Sequence, residues 1–194
     1  MGRIYLLGGT SNSGKSTCAR ELTQVHRLMH YEVDPIRGAL QMALPPSDPI
    51  NYFSTCDWLD LPPEESLRHK IDVASRTCAH GMGPLFRQVV DGDRDAIIEG
   101  DDLLPAFVGD WIGAGASSAA FLITVDPGLI RARYWDRDQT TCIGRDRVRL
   151  ERFVPHYLGW ASWVEGEATR CGLPVVSARN GDVIEPIARA LGLV

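Results

Sequence analysis

Gly9-Thr10-Ser11-Asn12-Ser13-Gly14-Lys15-Ser16-Thr17 decides how this 194-residue chain is read. Two glycines separated by four residues, then Lys15 and Ser16, match the pattern of a loop that wraps a polyphosphate. Ahead of it, Arg3-Ile4-Tyr5-Leu6-Leu7 is a short apolar run bounded by Gly8 and Gly9, which predicts a buried strand. Behind it, Cys18, Leu22, Val25 and Leu28-Met29 recur at helical spacing. Strand, glycine loop, helix is the context in which the pattern carries chemistry.

Each position has a physical reason. Without side chains at Gly9 and Gly14, the loop can curl until successive backbone N–H groups point inward at phosphate oxygens. The helix that begins near Gly14 adds its unpaired N–H groups and the positive end of its dipole. Lys15 can reach the β- and γ-phosphates, and the Ser16 hydroxyl can ligate a bridging Mg²⁺. Gly9 through Thr17 are therefore candidate nucleotide-binding residues. The chain holds 18 arginines and only two lysines, Lys15 and Lys70. An Arg-rich chain thus keeps a compact ammonium where a planar guanidinium would not fit a tight cradle.

The bulk numbers set bounds. With 44% hydrophobic residues, the chain can bury one sizeable core, and residues 1–194 are expected to form a single domain. A net charge of −5 argues against a nucleic-acid-coating surface but not against one bound nucleotide. The five cysteines, Cys18, Cys56, Cys78, Cys142 and Cys171, contain no Cys-x-x-Cys pair and read as reduced thiols. No apolar run approaches a membrane span, so the expectation is a cytoplasmic protein without a membrane partner. The five histidines show no ligand spacing, and none is assigned.

Further strands are predicted at 30–33, 96–98, 119–125 and 173–176, alternating with helical patterns. The strands are continuous apolar runs, which predicts an α/β three-layer sandwich with a five-stranded parallel sheet covered on both faces. Ligands of such sheets gather at the strands' carboxyl ends. Those ends are Gly8-Gly9, Asp34, Glu99, Asp126 and Ser177. Residues 47–63 read as irregular, and a long amphipathic helix from Glu64 should kink near Gly81, Gly83 and Pro84.

Together the Gly9–Ser16 loop, Asp34-x-x-Arg37 after strand two, and Arg133-x-x-x-Arg137 before a polar break resemble the P-loop small-molecule kinases. That group includes nucleoside monophosphate, shikimate and gluconate kinases. Ile97-Ile98-Glu99-Gly100-x-x-Leu103-x-Pro105 and the Arg-rich stretch 145–153 look like the 2-phosphoglycerate kinase-like branch. That branch usually has Gly-Val-His after the Glu, where this chain has Gly100-Asp101-Asp102. The resemblance implies a P-loop kinase-like fold with an acceptor-binding insert at about 37–90 and a short lid at about 138–148. It also implies that Arg133 packs against the nucleotide base and that Arg137 approaches the γ-phosphate. Arg145, Arg147 and Arg149 are candidate lid arginines.

The remaining candidates are weighed by chemistry. Asp34 is read as the general base for the acceptor hydroxyl, the rival being a helix cap before Pro35. Arg37, one turn on, could clamp an anionic substrate group. Glu99 and Asp126 compete for the water-mediated metal role. Asp126 has a structural explanation as the cap before Pro127, so Glu99 is favoured. Asp101 and Asp102 are adjacent and are expected not to point inward together; Asp101 is the candidate for the substrate. Tyr52, Phe53 and Trp58 belong either to the acceptor pocket or to the packing of the insert.

The expected activity is ATP- and Mg²⁺-dependent transfer of the γ-phosphate to a hydroxyl of a small metabolite by a monomer or homodimer. Lys15, Asp34 and Arg137 are the expected catalytic residues. The alternatives are a regulatory NTPase, or a toxin- or resistance-type kinase acting on a sugar nucleotide or drug. The sequence has neither an Asn-Lys-x-Asp guanine motif nor a Leu-Ser-Gly-Gly-Gln transporter signature.

Overall fold

The computed structural model describes residues 2–55, 57–113, 117–137, 146–178 and 182–194. The chain alternates strand and helix as its apolar periodicity requires. β1 (Ile4–Gly9), α1 (Lys15–His26), β2 (Met29–Glu32) and α2 (Asp34–Ala43) open it. The insert follows with two 3₁₀ turns (Pro49–Asn51 and Trp58–Asp60) on either side of the short α3 (Tyr52–Thr55). It continues into α4 (Pro63–Thr77), one π turn (Cys78–Met82) and α5 (Gly83–Asp91). Next come β3 (Ala96–Glu99), α6 (Pro105–Gly113), β4 (Ser117–Ile123) and α7 (Pro127–Arg137). The chain closes with α8 (Arg147–Arg170), β5 (Val175–Ser177) and α9 (Ile184–Ala190).

The five strands pair in parallel in the order β2-β3-β1-β4-β5. From β1 the chain moves outward to β2, returns through β3 beside β1, and then crosses to β4 and β5. The loops after β1 and β3 therefore leave the sheet where its winding reverses, the place where such sheets bind ligands.

Alternate residues of each strand feed two cores. Ile4, Leu6, Ile98, Phe121 and Ile123 face α4, α5, α6 and α8. Tyr5, Leu7, Ile97, Ala120 and Leu122 face α1 and α9. A third cluster, not foreseen from periodicity, joins Leu59 of the insert to Ile130 and Tyr134 of α7 and Leu150, Phe153 and Tyr157 of α8. It fixes the insert above the sheet's carboxyl edge.

Two expectations are corrected in detail. Residues 47–63 are largely helical turns rather than irregular chain. Asp48 caps the first of them by accepting from the Ile50 N–H. The break at Gly81–Pro84 is a π turn through which the chain stays helical, and α5 restarts with Pro84 in its first turn, where its missing N–H costs nothing.

Candidate active site

The glycine loop leaves β1 with a backbone that needs glycine. Gly9 has φ +133°, and a Cβ there would lie 1.9 Å from the Leu122 carbonyl oxygen. Gly14, at φ +106°, starts α1. The loop is fastened from outside as well. The Thr10 N–H donates to Leu122 O at 3.1 Å, and the Thr10 hydroxyl accepts from the Thr124 N–H at 3.1 Å. The Tyr157 hydroxyl of α8 lies 2.6 Å from the Thr10 hydroxyl and donates to Ser11 O at 2.6 Å. Burial pushes that phenol up to about 12, so it remains a donor.

Arg133 extends from α7 to the glycine loop. Its Nη1 donates to Asn12 O and Ser13 O, both at 2.9 Å, and so braces the loop. It also lines a cleft of about 700 Å³ that runs along Asn12–Cys18 to Asp136 and Asp182–Ile184. Thr17 is exposed on that cleft, and the Asn12–Ser16 stretch forms its floor. The Arg137 side chain, Arg145 and the lid segment up to residue 145 lie outside the described residues.

The cradle fits a bound polyphosphate. Ser13 Oγ is buried with no hydrogen-bond partner among the described residues, a polar atom that a ligand oxygen would satisfy. Lys15 is only 6% exposed, and its Nζ folds back to donate to Thr10 O at 2.7 Å. Burial lowers its pKa, while Asp101, Glu99 and Asp34 oppose the shift.

Glu99 ends β3 buried against the start of α1. Burial works to raise its pKa, but contacts to His30 and the Ser16 hydroxyl and the Lys15 charge bring it below the ordinary carboxylate value. Glu99 Oε1 lies 3.8 Å from His30 Nε2. His30, Glu32 and Glu99 each place a ligand atom within 4.8 Å of the others'. Sequence reading missed His30; its signal is the two-residue spacing to Glu32, which puts both on one face of a strand beside Glu99. Asp126, the rival, caps α7: its Oδ1 accepts from Gly128 N at 2.7 Å and Leu129 N at 3.1 Å. Ser16 and Glu99 are thus the pair that could hold Mg²⁺. Glu99→Gln should raise the Mg²⁺ concentration needed for half-maximal activity with little change in rate at saturating metal. A Mg²⁺ titration of the two proteins measures it, and superimposable curves would remove Glu99 from the metal.

Asp101 and Asp102 both point inward, contrary to expectation. They sit in a turn after Gly100 rather than in a strand, so successive side chains need not take opposite faces. Asp102 is fully buried and accepts from Lys70 Nζ at 2.7 Å, Arg37 Nη1 at 2.9 Å and the Thr77 hydroxyl at 3.1 Å. Asp101 accepts from the Ser11 hydroxyl at 3.1 Å and from Lys70 at 3.5 Å. Burial would raise the Asp101 carboxyl, but Lys70, Lys15 and Arg37 hold it far below its usual range. Burial opposes the charge of Lys70, and Asp101 and Asp102 prevail, so its pKa is raised. Asp102→Ala should cost about 3–5 kcal/mol of stability, because it leaves Lys70 and Arg37 largely buried without their main counter-charge. Denaturant unfolding measures the loss; a cost under about 1 kcal/mol, typical of surface pairs, would mean the pair is solvated.

Asp34 is the first residue of α2 but does not cap it: the helix has no side-chain cap, and the N-cap position is Val33. Its carboxylate instead pairs with Arg37 Nη2 at 3.1 Å. The side chain is 61% exposed, yet the carboxyl sits in a crevice beside other acids. Partial desolvation first, then the Asp101 charge, pushes it up to about 6, with Arg37 opposing.

A second cavity, of about 400 Å³, opens beside the glycine loop. Ser11, Arg37, Lys70 and Asp101 lie on its polar side, and aromatic residues of the insert and of α7 and α8 form the other. Phe53 and Trp58 line it, whereas Tyr52 stacks on His69 at 3.6 Å between ring centroids. At the C-terminal side of the expected lid, Asp146 caps α8 by accepting from Val148 N at 2.8 Å. Arg147 lies over the Trp135 ring, and Arg149 pairs with Asp57 at 3.4 Å. Neither is seen at the phosphate cradle.

No family model matches the chain, and no curated protein matches it by sequence. Solved structures do match. Shikimate kinase from Acinetobacter baumannii in complex with shikimate aligns over 100% of this chain and 93% of its own, at TM-score 0.55 and 11% identity. The fold is that of the P-loop kinases. Shikimate kinase from Bacteroides thetaiotaomicron aligns over 99% of this chain and 95% of its own, at TM-score 0.53 and 14% identity. A sugar kinase from Janibacter sp. HTCC2649 covers 100% and 96% respectively, at TM-score 0.51 and 17% identity. The strand order and the glycine loop agree with that fold. No helix among the described residues is long and apolar enough to cross a membrane.

Proposed function

We propose that the chain is an ATP- and Mg²⁺-dependent phosphotransferase that moves the γ-phosphoryl group to a hydroxyl of a small molecule. One observation carries the reading: the phosphate cradle and a separate cavity meet at a shared residue, Ser11, with Asp101 bonded to it. A regulatory NTPase needs the cradle but has no use for a second, walled cavity at the same edge. Kinase folds among the structural neighbours support the choice.

Bound MgATP supplies the phosphoryl group; the chain supplies position and charge. Backbone N–H groups at the Gly14–Ser16 end of the loop and the Lys15 ammonium would neutralise phosphate oxygens, and Ser16 with Glu99 would hold the metal. Asp34 takes the proton of the acceptor hydroxyl, and Arg37 orients that carboxylate. Asp101, locked ionised, receives a substrate hydroxyl as hydrogen-bond acceptor rather than as base. The insert at 37–90 builds most of the acceptor side, within one domain.

Incubation with ATP, Mg²⁺ and pools of hydroxyl-bearing metabolites tests the proposal. ADP release should depend on an acceptor, with a phosphorylated product seen by mass spectrometry. Slow ADP release at the same rate with every pool would replace it with the regulatory NTPase.

A further inference from the structure

The acceptor cavity is unlike a polyol site in two respects that its residues make explicit. Its wall is aromatic. Phe53, Trp58, Tyr134, Phe153, Tyr157 and Trp160 all face it, drawn from the insert, α7 and α8. Trp58 meets Phe153 edge to face at 6.0 Å and His156 at 5.4 Å, so the wall is a packed unit rather than loose side chains. Lys70 lies 5.4 Å from the Trp160 ring centre and fixes that ring from the polar side.

Its charge is the second respect. The cations on the cavity, Arg37 and Lys70, are already bonded to Asp102, and both also approach Asp101. Asp34 pairs with Arg37 as well. Three carboxylates face two cations, and Lys15 belongs to the phosphate cradle. An anionic group on the acceptor would therefore enter a cluster with no surplus positive charge, next to the phosphates it must approach. Trp160 and His156 also line the cavity, and each holds a buried polar atom. Trp160 Nε1 and His156 Nδ1, one turn apart on α8, are buried without a hydrogen-bond partner among the described residues. Burial lowers the His156 pKa, so the ring is neutral at pH 7. Two such atoms left unpaired cost more than the same atoms bonded to a ligand.

We infer that the cavity takes a neutral, ring-bearing alcohol, its ring against the aromatic wall and a polar edge against Trp160 and His156. An acceptor bearing a carboxylate or phosphate is disfavoured by the charge count, and a polyol leaves the wall unused. The inference rests on the kinase reading for the word acceptor, but the preference of the cavity for neutral rings does not.

A matched pair of probes tests it: 4-(hydroxymethyl)benzamide and 4-(hydroxymethyl)benzoate have nearly the same shape and differ in charge. Binding is followed by tryptophan fluorescence with a non-hydrolysable ATP analogue and Mg²⁺ present, and turnover by ADP release with ATP. The benzamide should bind about tenfold or more tightly than the benzoate. Asp101→Asn should narrow that ratio by weakening the binding of the benzamide less than it improves the benzoate. Trp160→Phe keeps the ring and removes the N–H, and should weaken benzamide binding about fivefold or more. Equal or tighter binding of the benzoate overturns the inference, as does binding of neither. Turnover of shikimate or gluconate in preference to the benzamide also overturns it while leaving the kinase reading intact. Benzamide that binds as expected but is never phosphorylated upholds the cavity's preference and counts against the kinase reading instead.

Discussion

Lys15→Ala should lower phosphoryl transfer on the order of 10³-fold or more while the protein stays folded. The size follows from where the ammonium sits. Lys15 is buried at the head of α1, and its Nζ donates to a carbonyl of its own loop, Thr10 O. That bond is one a phosphate oxygen can replace, and the burial that lowers the Lys15 pKa also strengthens its interaction with an entering anion. Removing the side chain leaves the fold's main supports untouched, since Tyr157, Thr124 and Arg133 hold the loop through other atoms. Lys15→Arg should fail to rescue, because a planar fork does not fit the space of a tight cradle. Circular dichroism and a melting curve establish folding, and ADP release gives the rate. Near wild-type turnover in a folded variant would show that the loop is not the nucleotide site.

The loop was legible because its information is local: two glycines, a lysine and a serine at fixed spacing between a strand and a helix. The parallel sheet was legible for a similar reason, since continuous apolar runs alternate with helical periodicity. Asp126 could be assigned to a helix start from the Pro that follows it, and the structure shows that cap. What escaped were partners far apart in sequence. Tyr157 reaches Thr10 across 147 residues, and Lys70 reaches Asp102 across 32. No window of sequence shows such a bond.

Lys70 nevertheless left a trace. It is the second of two lysines in a chain with 18 arginines, a rarity to which the sequence alone attached no role. The structure supplies the reason: one ammonium fits between two adjacent carboxylates and under the Trp160 ring. Asp101 and Asp102 were misjudged because strand alternation was applied to a turn. Two loop carbonyls engage the Arg133 guanidinium, contacts that the family resemblance did not foretell. Resemblance carries over a residue's position more safely than its contacts.

Asp34→Asn should lower turnover by roughly 10²–10⁴-fold, the size expected for a lost general base, and should also change the shape of the pH profile. Asp34, Glu99 and Asp101 stand near the acceptor cavity and cradle, and their surroundings sort them. Asp101 is bonded to Ser11 and faces Lys70, Lys15 and Arg37, which keep it ionised and weakly basic. Glu99 is turned to Ser16 and His30, on the metal side. Asp34 alone among these has its carboxyl pushed up, to about 6, near the pH at which a base is both deprotonated and proton-hungry. A base works only when deprotonated, so kcat/KM should rise as pH climbs through about 6 and level off above it. With asparagine at position 34 the residual activity should lose that acid limb, because the group that titrates is gone. ATP affinity and the Mg²⁺ requirement should change little, since neither depends on Asp34. Measuring kcat/KM from pH 5 to 8 for both proteins, with a Mg²⁺ titration at pH 7, separates the roles. An Asp34→Asn protein with full turnover and a raised Mg²⁺ requirement would exchange the assignments, making Asp34 the metal's carboxylate and Glu99 the base.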